Sequence, residues 1–524
     1  MYAVLRGVAC PTYPSRRRDE NDNDPISPRA GKGGVKRRTG DNMTDGKMLI
    51  GGEWRAATGS ATFDRHDPVT GALASRAGAA SVDDATAAVA AAHAAFPAWA
   101  ALAPTERRRK LLQAADLMDA RAADFIAMGV AETGATPGWI GFNVMLAANM
   151  LREAASMTTQ IQGDVIPSDT PGSLAMGLRV PCGVVLGIAP WNAPVILGTR
   201  AVAMPLACGN TVVLKASELC PALHLMIGGV LNDAGIGAGV INVITHTAAD
   251  APAVVERLIA DPRVRRVNFT GSTRVGRIVA RLAAEHLKPA LLELGGKAPA
   301  IVLDDADLDA AVDAIAFGAF FNQGQICMST ERAIVARGVA DAFVERLAVK
   351  ARTLVAGDPR DGHPLGAMVG ADAAARAAAL VEDATLQGAS LPVGCRVDGA
   401  IMQPTIVDGV TSSMRLYRDE SFAPVVAVLR AEDDEHAITL ANDSEFGLSA
   451  AVFSRDLARA MRVANRIASG ICHINGATVH DEAQMPFGGV KSSGHGRFGS
   501  RASVAEFTEL RWITVQTSPR HYPV

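Results

Sequence analysis

Short runs of apolar, β-branched residues alternate with longer stretches of helical character along most of this chain. Val184–Ile188, Thr211–Leu214, Val240–Ile244, Val267–Phe269 and Ala300–Leu303 are continuous apolar runs, a length and composition that suit strands covered on both faces. Helix-length segments lie between them, and this alternation predicts an α/β fold built on a parallel sheet. Ser81-Val82-Asp83-Asp84 opens a long alanine-rich helix, with Ser81 as N-cap and two acids in its first turn. A second helix is expected from Thr105 through Leu112 towards Met118. Leu49–Trp54 has the pattern of a short hairpin and His66–Gly71 that of a turn. Near the C-terminus, Trp512-Ile513-Thr514-Val515 alternates apolar with polar, as a strand with one buried face would.

Residues 1–42 break the pattern. They carry Arg16 to Arg18, an acidic patch over 19–24, several prolines and the basic cluster Lys36 to Arg38, without apolar periodicity, which predicts a disordered tail. Their acids argue against a mitochondrial presequence. A natural start at Met43 is the alternative expectation for this region.

Composition narrows the class. At 524 residues with 49% hydrophobic and 20% charged, the chain is too long for one simple core and suggests two large domains with smaller additions. A formal net charge of -3 and the lack of a basic stripe argue against nucleic acid as partner. Apolar runs fall well short of the ~20 residues that span a bilayer, so a soluble, cytoplasmic protein is expected. Seven cysteines contain no CxxC pair and none stands at zinc-finger spacing from a histidine, which argues against a metal site or a disulfide framework.

Four segments carry chemistry. Pro190-Trp191-Asn192-Ala193-Pro194 follows a buried strand, at the strand end where ligands bind in parallel sheets. Alone, Asn192 is equally a turn residue. Lys215-Ala216-Ser217-Glu218 also follows a strand, and its lysine and glutamate could hold ribose hydroxyls or simply pair with each other. Phe269-Thr270-Gly271-Ser272-Thr273 ends a strand before a helix. Backbone N–H groups there suit a pyrophosphate, while Ser272 alone reads as an N-cap. The Gly-x-Gly-x-x-Gly fingerprint is absent. Finally Leu292-Glu293-Leu294-Gly295-Gly296-Lys297 precedes Phe321-Asn322-Gln323-Gly324-Gln325-Ile326-Cys327, pairing a thiol with a carboxylate base.

With Glu420-Ser421-Phe422-Ala423-Pro424 and Pro486-Phe487-Gly488-Gly489, these motifs make the chain resemble the aldehyde dehydrogenase superfamily from Ile50 to about Gln516. The resemblance implies a Rossmann-like dinucleotide-binding domain (43–162 and 183–294), an α/β catalytic domain (295–502) and a small β oligomerisation flap (163–182 and 503–524). It implies Cys327 as nucleophile, Asn192 with the Cys327 N–H as oxyanion donors, and Glu293 as the base that activates water. NAD is the implied cofactor. Lys215 and Glu218 would hold the adenosine ribose, Ser272 the pyrophosphate and Glu420 the nicotinamide ribose, with Phe422 near the nicotinamide. Ile188, Pro190, Trp191, Ser217, Gly271, Leu294 and Gly295 fall in the same cleft by the same resemblance. Glu218 favours NAD over NADP, since a carboxylate repels a 2′-phosphate. Glu293 favours hydrolysis of the thioester over its transfer to coenzyme A.

Ala193, Ile196, Phe321, Ile326 and Met328 fall where the family lines its aldehyde tunnel. Arg200 falls there too, where its guanidinium could meet a ring substituent or pair with a neighbouring acid. The stretch from Gly470 to Met485 resembles the members that oxidise aromatic aldehydes. A hydroxylated benzaldehyde such as salicylaldehyde or vanillin is therefore the expected substrate, with aliphatic aldehydes or semialdehydes as the alternative. A homodimer or homotetramer is expected from the flap. Two readings of other classes are a cofactor-free thiol hydrolase, which needs a histidine beside Cys327, and a non-catalytic scaffold, which has no use for Cys327, Glu293 and Asn192 together.

Overall fold

The computed structural model describes residues 46–524; the expected tail over 1–42 lies outside them. Two large sheets organise the chain. In the first, the strands Ile241–Ile244, Thr211–Lys215, Val184–Ile188, Val264–Thr270 and Ala290–Glu293 lie side by side in that order and run parallel. Alternate residues point to opposite sides. Val185, Val212 and Leu214 enter one apolar cluster, while Val184, Leu186 and Val213 enter another. Both faces are buried, as continuous apolar runs require.

The sheet is mixed rather than purely parallel. The hairpin of Lys47–Ile50 and Glu53–Ala56 adds antiparallel strands at one edge. At the other edge, Gly494–His495 pairs antiparallel with Leu292 and Glu293, although it lies within the span expected for the catalytic domain. That return follows from glycine: a Cβ on Gly494 would lie 2.0 Å from the Leu292 carbonyl oxygen.

The second sheet has the strands Ser390–Val393, Thr405–Asp408, Val425–Ala431, Thr330–Ala336, Ala298–Val302, Ser449–Phe453 and Ile471–Ile474 in spatial order. Here too alternate residues divide between two clusters, Ile301 and Ile334 on one side and Ala300, Val302, Ala333 and Val335 on the other.

The helices form where the pattern placed them. Ser81 caps Val82–Ala100 through a capping box with Asp84, and the second helix runs Pro104–Ala120. Ser173–Pro181 pairs with Thr508–Gln516 and with Asp164–Ile166 in a separate three-stranded sheet. From Glu509 to Gln516 the side chains stay largely exposed, Trp512 at 78%. The alternation there does not correspond to a face buried within this chain. No helix among the described residues is long and apolar enough to cross a membrane.

Candidate active site

Register puts four of the sequence-nominated segments on one edge. Ile188 lies opposite Lys215 and Phe269, and Thr270 opposite Glu293. The loops that follow these strands therefore emerge together at their carboxyl ends, the ligand-binding side of a parallel sheet.

After Ile188 the chain turns through Pro190 and Trp191 to Asn192, then enters the helix Pro194–Ala207 with Pro194 at its first turn, where a missing N–H does no harm. The Asn192 carbonyl accepts from Trp139 Nε1 and Asn322 Nδ2, each at 3.0 Å. Its side-chain Nδ2 donates to the Gln325 carbonyl at 3.0 Å. These bonds join the Asn192 loop to the Cys327 loop. The latter is wound tightly, with Asn322, Gln323 and Gly324 at φ of 48°, 55° and 67°. Gly324 is obligatory here, because a Cβ would lie 1.9 Å from the Ala423 carbonyl oxygen.

Glu293 ends its strand and faces Cys327. The following Leu294-Gly295-Gly296 has a packing reason for its glycines. A Cβ on Gly296 would lie 2.2 Å from the Cys327 carbonyl oxygen, and one on Gly295 2.8 Å from Glu420 Oε2. Only a bare backbone lets the base loop approach both the nucleophile loop and Glu420. Leu294 is buried against Gly276 of the helix Thr273–Glu285.

The electrostatics are unusual. Glu293 is 1% exposed and neither carboxylate oxygen has a hydrogen-bond partner. Burial pushes it up to about 7, opposed by Arg200 and the Cys327 thiol, with Asp481 adding to the rise. Cys327 is pushed well above the ordinary thiol range by burial and by the Glu293 carboxylate, with Arg200 opposing. Glu420 accepts from the Gly296 N–H at 2.8 Å and is raised to about 8, chiefly by burial.

On the adenosine side, Lys215 is buried and depressed by desolvation, with Glu218 opposing. Its Nζ lies 3.9 Å from Glu218 Oε2, a loose pairing that leaves both groups able to meet hydroxyls. The Ser217 N–H donates to His224 Nδ1 at 3.1 Å, and burial pushes His224 down to about 3, so it is neutral and able to accept. Ser272 caps its helix by accepting from Val275 N at 3.4 Å. Trp191 and Phe422 meet edge to face at 5.8 Å. The cleft thus offers an ammonium and a carboxylate in loose pairing, a helix N-terminus and two aromatic rings, a set of groups that fits a dinucleotide.

Ala193, Ile196, Ile326 and Met328 are buried in one apolar cluster, with Phe321 and Cys327 packed against it. Arg200 borders the same cluster but pairs with an acid. Its Nη2 donates to Asp481 Oδ2 at 2.5 Å, and its Cζ sits 4.2 Å from the centre of the Phe487 ring.

Sequence reasoning overlooked three groups. Trp139 supports Asn192 and packs edge to face on Phe321 at 5.1 Å; nothing in its helical context marks it. Asp481 lies beside Glu482, and nothing in the sequence distinguishes the two. Glu331 had a signal, since Glu331-Arg332 opens an otherwise apolar strand. It pairs with Lys297 at 2.6 Å and accepts from the N–H groups of Ser421 and Phe422, each at 3.0 Å. These bonds secure Phe422 at a φ of 47° and, beside it, Glu420.

Comparison with known proteins agrees with this geometry. The profile of the aldehyde dehydrogenase family matches residues 54–513. The chain is 67% identical over 483 residues to a vanillin dehydrogenase of Pseudomonas fluorescens, covering 92% of this chain and 100% of that one. It is 47% identical over 479 residues to a salicylaldehyde dehydrogenase of Pseudomonas putida, covering 91% and 99%. The crystal structure of a salicylaldehyde dehydrogenase from Pseudomonas putida G7 complexed with salicylaldehyde superimposes with a TM-score of 0.90 at 47% identity, covering 91% of this chain and 99% of that one.

Proposed function

The chain belongs to the aldehyde dehydrogenase family, and from that premise we propose that it oxidises hydroxylated benzaldehydes to their carboxylic acids with NAD. The observation that carries this reading is the union of Cys327, Glu293 and the Asn192 loop beside an apolar cluster against which Phe321 and Cys327 pack, with Arg200 within electrostatic range of both Cys327 and Glu293. The names of its relatives, vanillin and salicylaldehyde dehydrogenases, support the same substrate class.

Cys327 attacks the aldehyde carbon after giving its proton to Glu293, the base beside it. The Asn192 amide and the Cys327 N–H hold the resulting oxyanion; one such donor contributes roughly 3 kcal/mol in the transition state. Bound NAD supplies the hydride acceptor, which leaves a thioester on Cys327. Glu293 releases the thiol's proton to solvent and then takes one from water; hydroxide adds to the thioester, and the acid departs as the thiolate takes that proton back from Glu293. Glu293 suits both duties, since burial tunes its proton affinity to neutral pH. Lys215 and Glu218 would hold the adenosine ribose, Ser272 the pyrophosphate and Glu420 the nicotinamide ribose. Ile188, Pro190, Ser217, Gly271, Leu294 and Gly295 shape the backbone of the cleft. Trp191 and Phe422 bracket its nicotinamide end.

The rings of Phe487 and Phe498, which line a cavity with Arg200, suit a flat aromatic substrate, and the Arg200 donors not bound to Asp481 suit a ring hydroxyl. After burial, the groups that act on Cys327 are Glu293, Arg200 and Glu420, and a carboxylate in that place favours water-assisted oxidation over histidine-dependent thiol hydrolysis. Exposed Leu510, Trp512 and Val165 on the three-stranded sheet suit pairing with a second copy, as a dimer or tetramer.

Comparing kcat/KM for vanillin, salicylaldehyde, benzaldehyde and hexanal, each with NAD and NADP, tests the proposal. The hydroxylated rings with NAD should lead. Preference for hexanal would overturn the substrate class.

A further inference from the structure

Two buried carboxylates lie near one guanidinium, and only one of them has it. Arg200 donates to Asp481, with side-chain exposures of 6% and 9%. It is also close enough to act electrostatically on Glu293 and Cys327. Arg200 nevertheless makes no ion pair or hydrogen bond with Glu293, on which only the Cys327 thiol bears as a donor. A guanidinium and a carboxylate that meet ordinarily close into a bidentate pair, the strongest arrangement open to both. Two contacts oppose that closure here. Asp481 Oδ2 holds one end of the guanidinium, and the Phe487 ring lies beneath it at 4.2 Å, with Phe498 further off at 5.9 Å.

We infer that Asp481 is a positioning residue, which holds Arg200 off Glu293 and so keeps Glu293 free to take a proton from water. The inference rests on the reading of Glu293 as base given above. Were Arg200 to close on Glu293, its N–H groups would occupy the lone pairs that water needs. The carboxylate would then be ionised over a wider pH range but a weaker base. The hold is single. Asp481 Oδ1 has no partner of its own, so nothing but the Oδ2 contact anchors the guanidinium from that side. The charged and titratable groups facing Glu293 are Cys327, Arg200, Asp481 and Glu420, and those facing Asp481 are Arg200, His480 and Glu293, with the Glu482 N–H beside it. Arg200 is thus the cation whose placement decides the state of the base.

The test uses the full-length enzyme with NAD and benzaldehyde, whose unsubstituted ring gives Arg200 nothing to bind. Asp481→Asn keeps the shape and removes the charge. The plateau of kcat should fall about tenfold, and the acidic limb of its pH profile should move down by about one unit or more. Thioester should accumulate in single turnovers. Adding Arg200→Met to Asp481→Asn should restore turnover towards the parent level, because the group that closes on Glu293 is gone. Removing both charges together also avoids leaving one buried and unpaired, so the double variant remains informative if the single one folds poorly. An unchanged rate and pH limb in Asp481→Asn, or a double variant slower than the single, would overturn the proposal. Glu293→Gln runs alongside as a separate arm. If it keeps its turnover, Glu293 is not the base, and both readings fall for a reason distinct from the behaviour of Asp481.

Discussion

Glu293 and Glu331 are both buried, at 1% and 3% exposure, and their surroundings are opposite. Glu331 is saturated: the Ser421 and Phe422 N–H groups, the Ser421 hydroxyl and the Lys297 ammonium all donate to it. Glu293 accepts from no backbone N–H, hydroxyl or ammonium, and only the Cys327 thiol bears on it as a donor. The first holds a loop in a left-handed conformation, which requires a carboxylate with every lone pair engaged. The second must accept a proton during turnover, which requires lone pairs left open. Burial without partners is destabilising for an acid, and that same penalty raises its proton affinity into the working range. A buried carboxylate is therefore read by its partners, not by its depth.

The largest test of this contrast exchanges the two roles. Glu293→Gln should lower kcat by at least about 100-fold, measured as NADH formation, while leaving thermal stability equal or higher because an unsatisfied charge is removed. Glu331→Gln should do the reverse. Breaking a buried pair by removing one partner typically costs about 3–5 kcal/mol, seen in denaturant unfolding, and the KM for cofactor should rise because Glu420 and Phe422 lose their anchor. Equal stability losses in both variants would break the contrast.

pH sharpens it further. The proton on Glu293 is held to about 7 in the folded chain, against an ordinary 4.5. The folded state therefore binds more protons between those values, and the stability from Glu293 is full below about 4.5 and lost as pH rises through 7. Glu293→Gln should flatten that decline in a series of melts. Turnover should run the other way, falling as pH drops through about 7 and the base is protonated. A pH–stability curve unaltered by the substitution would contradict the assigned burial.

The smallest expected effect concerns the cofactor. The 3.9 Å separation of Lys215 and Glu218 leaves the carboxylate free to repel a 2′-phosphate. Glu218→Ala should narrow the NAD-over-NADP ratio of kcat/KM by several-fold, roughly one kcal/mol, with little change in kcat for NAD. An unchanged ratio would assign the discrimination to another group.

Much of the fold was legible because its signals are local. Val184–Ile188 is a strand at the limits its apolar run marks, and Ser81 caps the helix it was expected to cap. The exposed strand Thr508–Gln516 shows where locality fails, since its alternation says nothing about what covers it. The nucleophile loop and the base loop beside it were also legible, because Gly324 and Gly296 face backbone carbonyls that leave no room for a Cβ.

By itself, then, the sequence determined the α/β class, most strands of the first sheet and the family. It also marked Cys327, Glu293 and Asn192 as the residues to examine, since contiguous motifs encode strand-end loops. Only the tertiary structure decided what the charges do. Arg200 meets Asp481 across 281 positions of chain, and Glu331 meets Ser421 across 90. The meaning of a buried charge lies in its neighbours and in the water it has lost, and neither is written next to it along the chain.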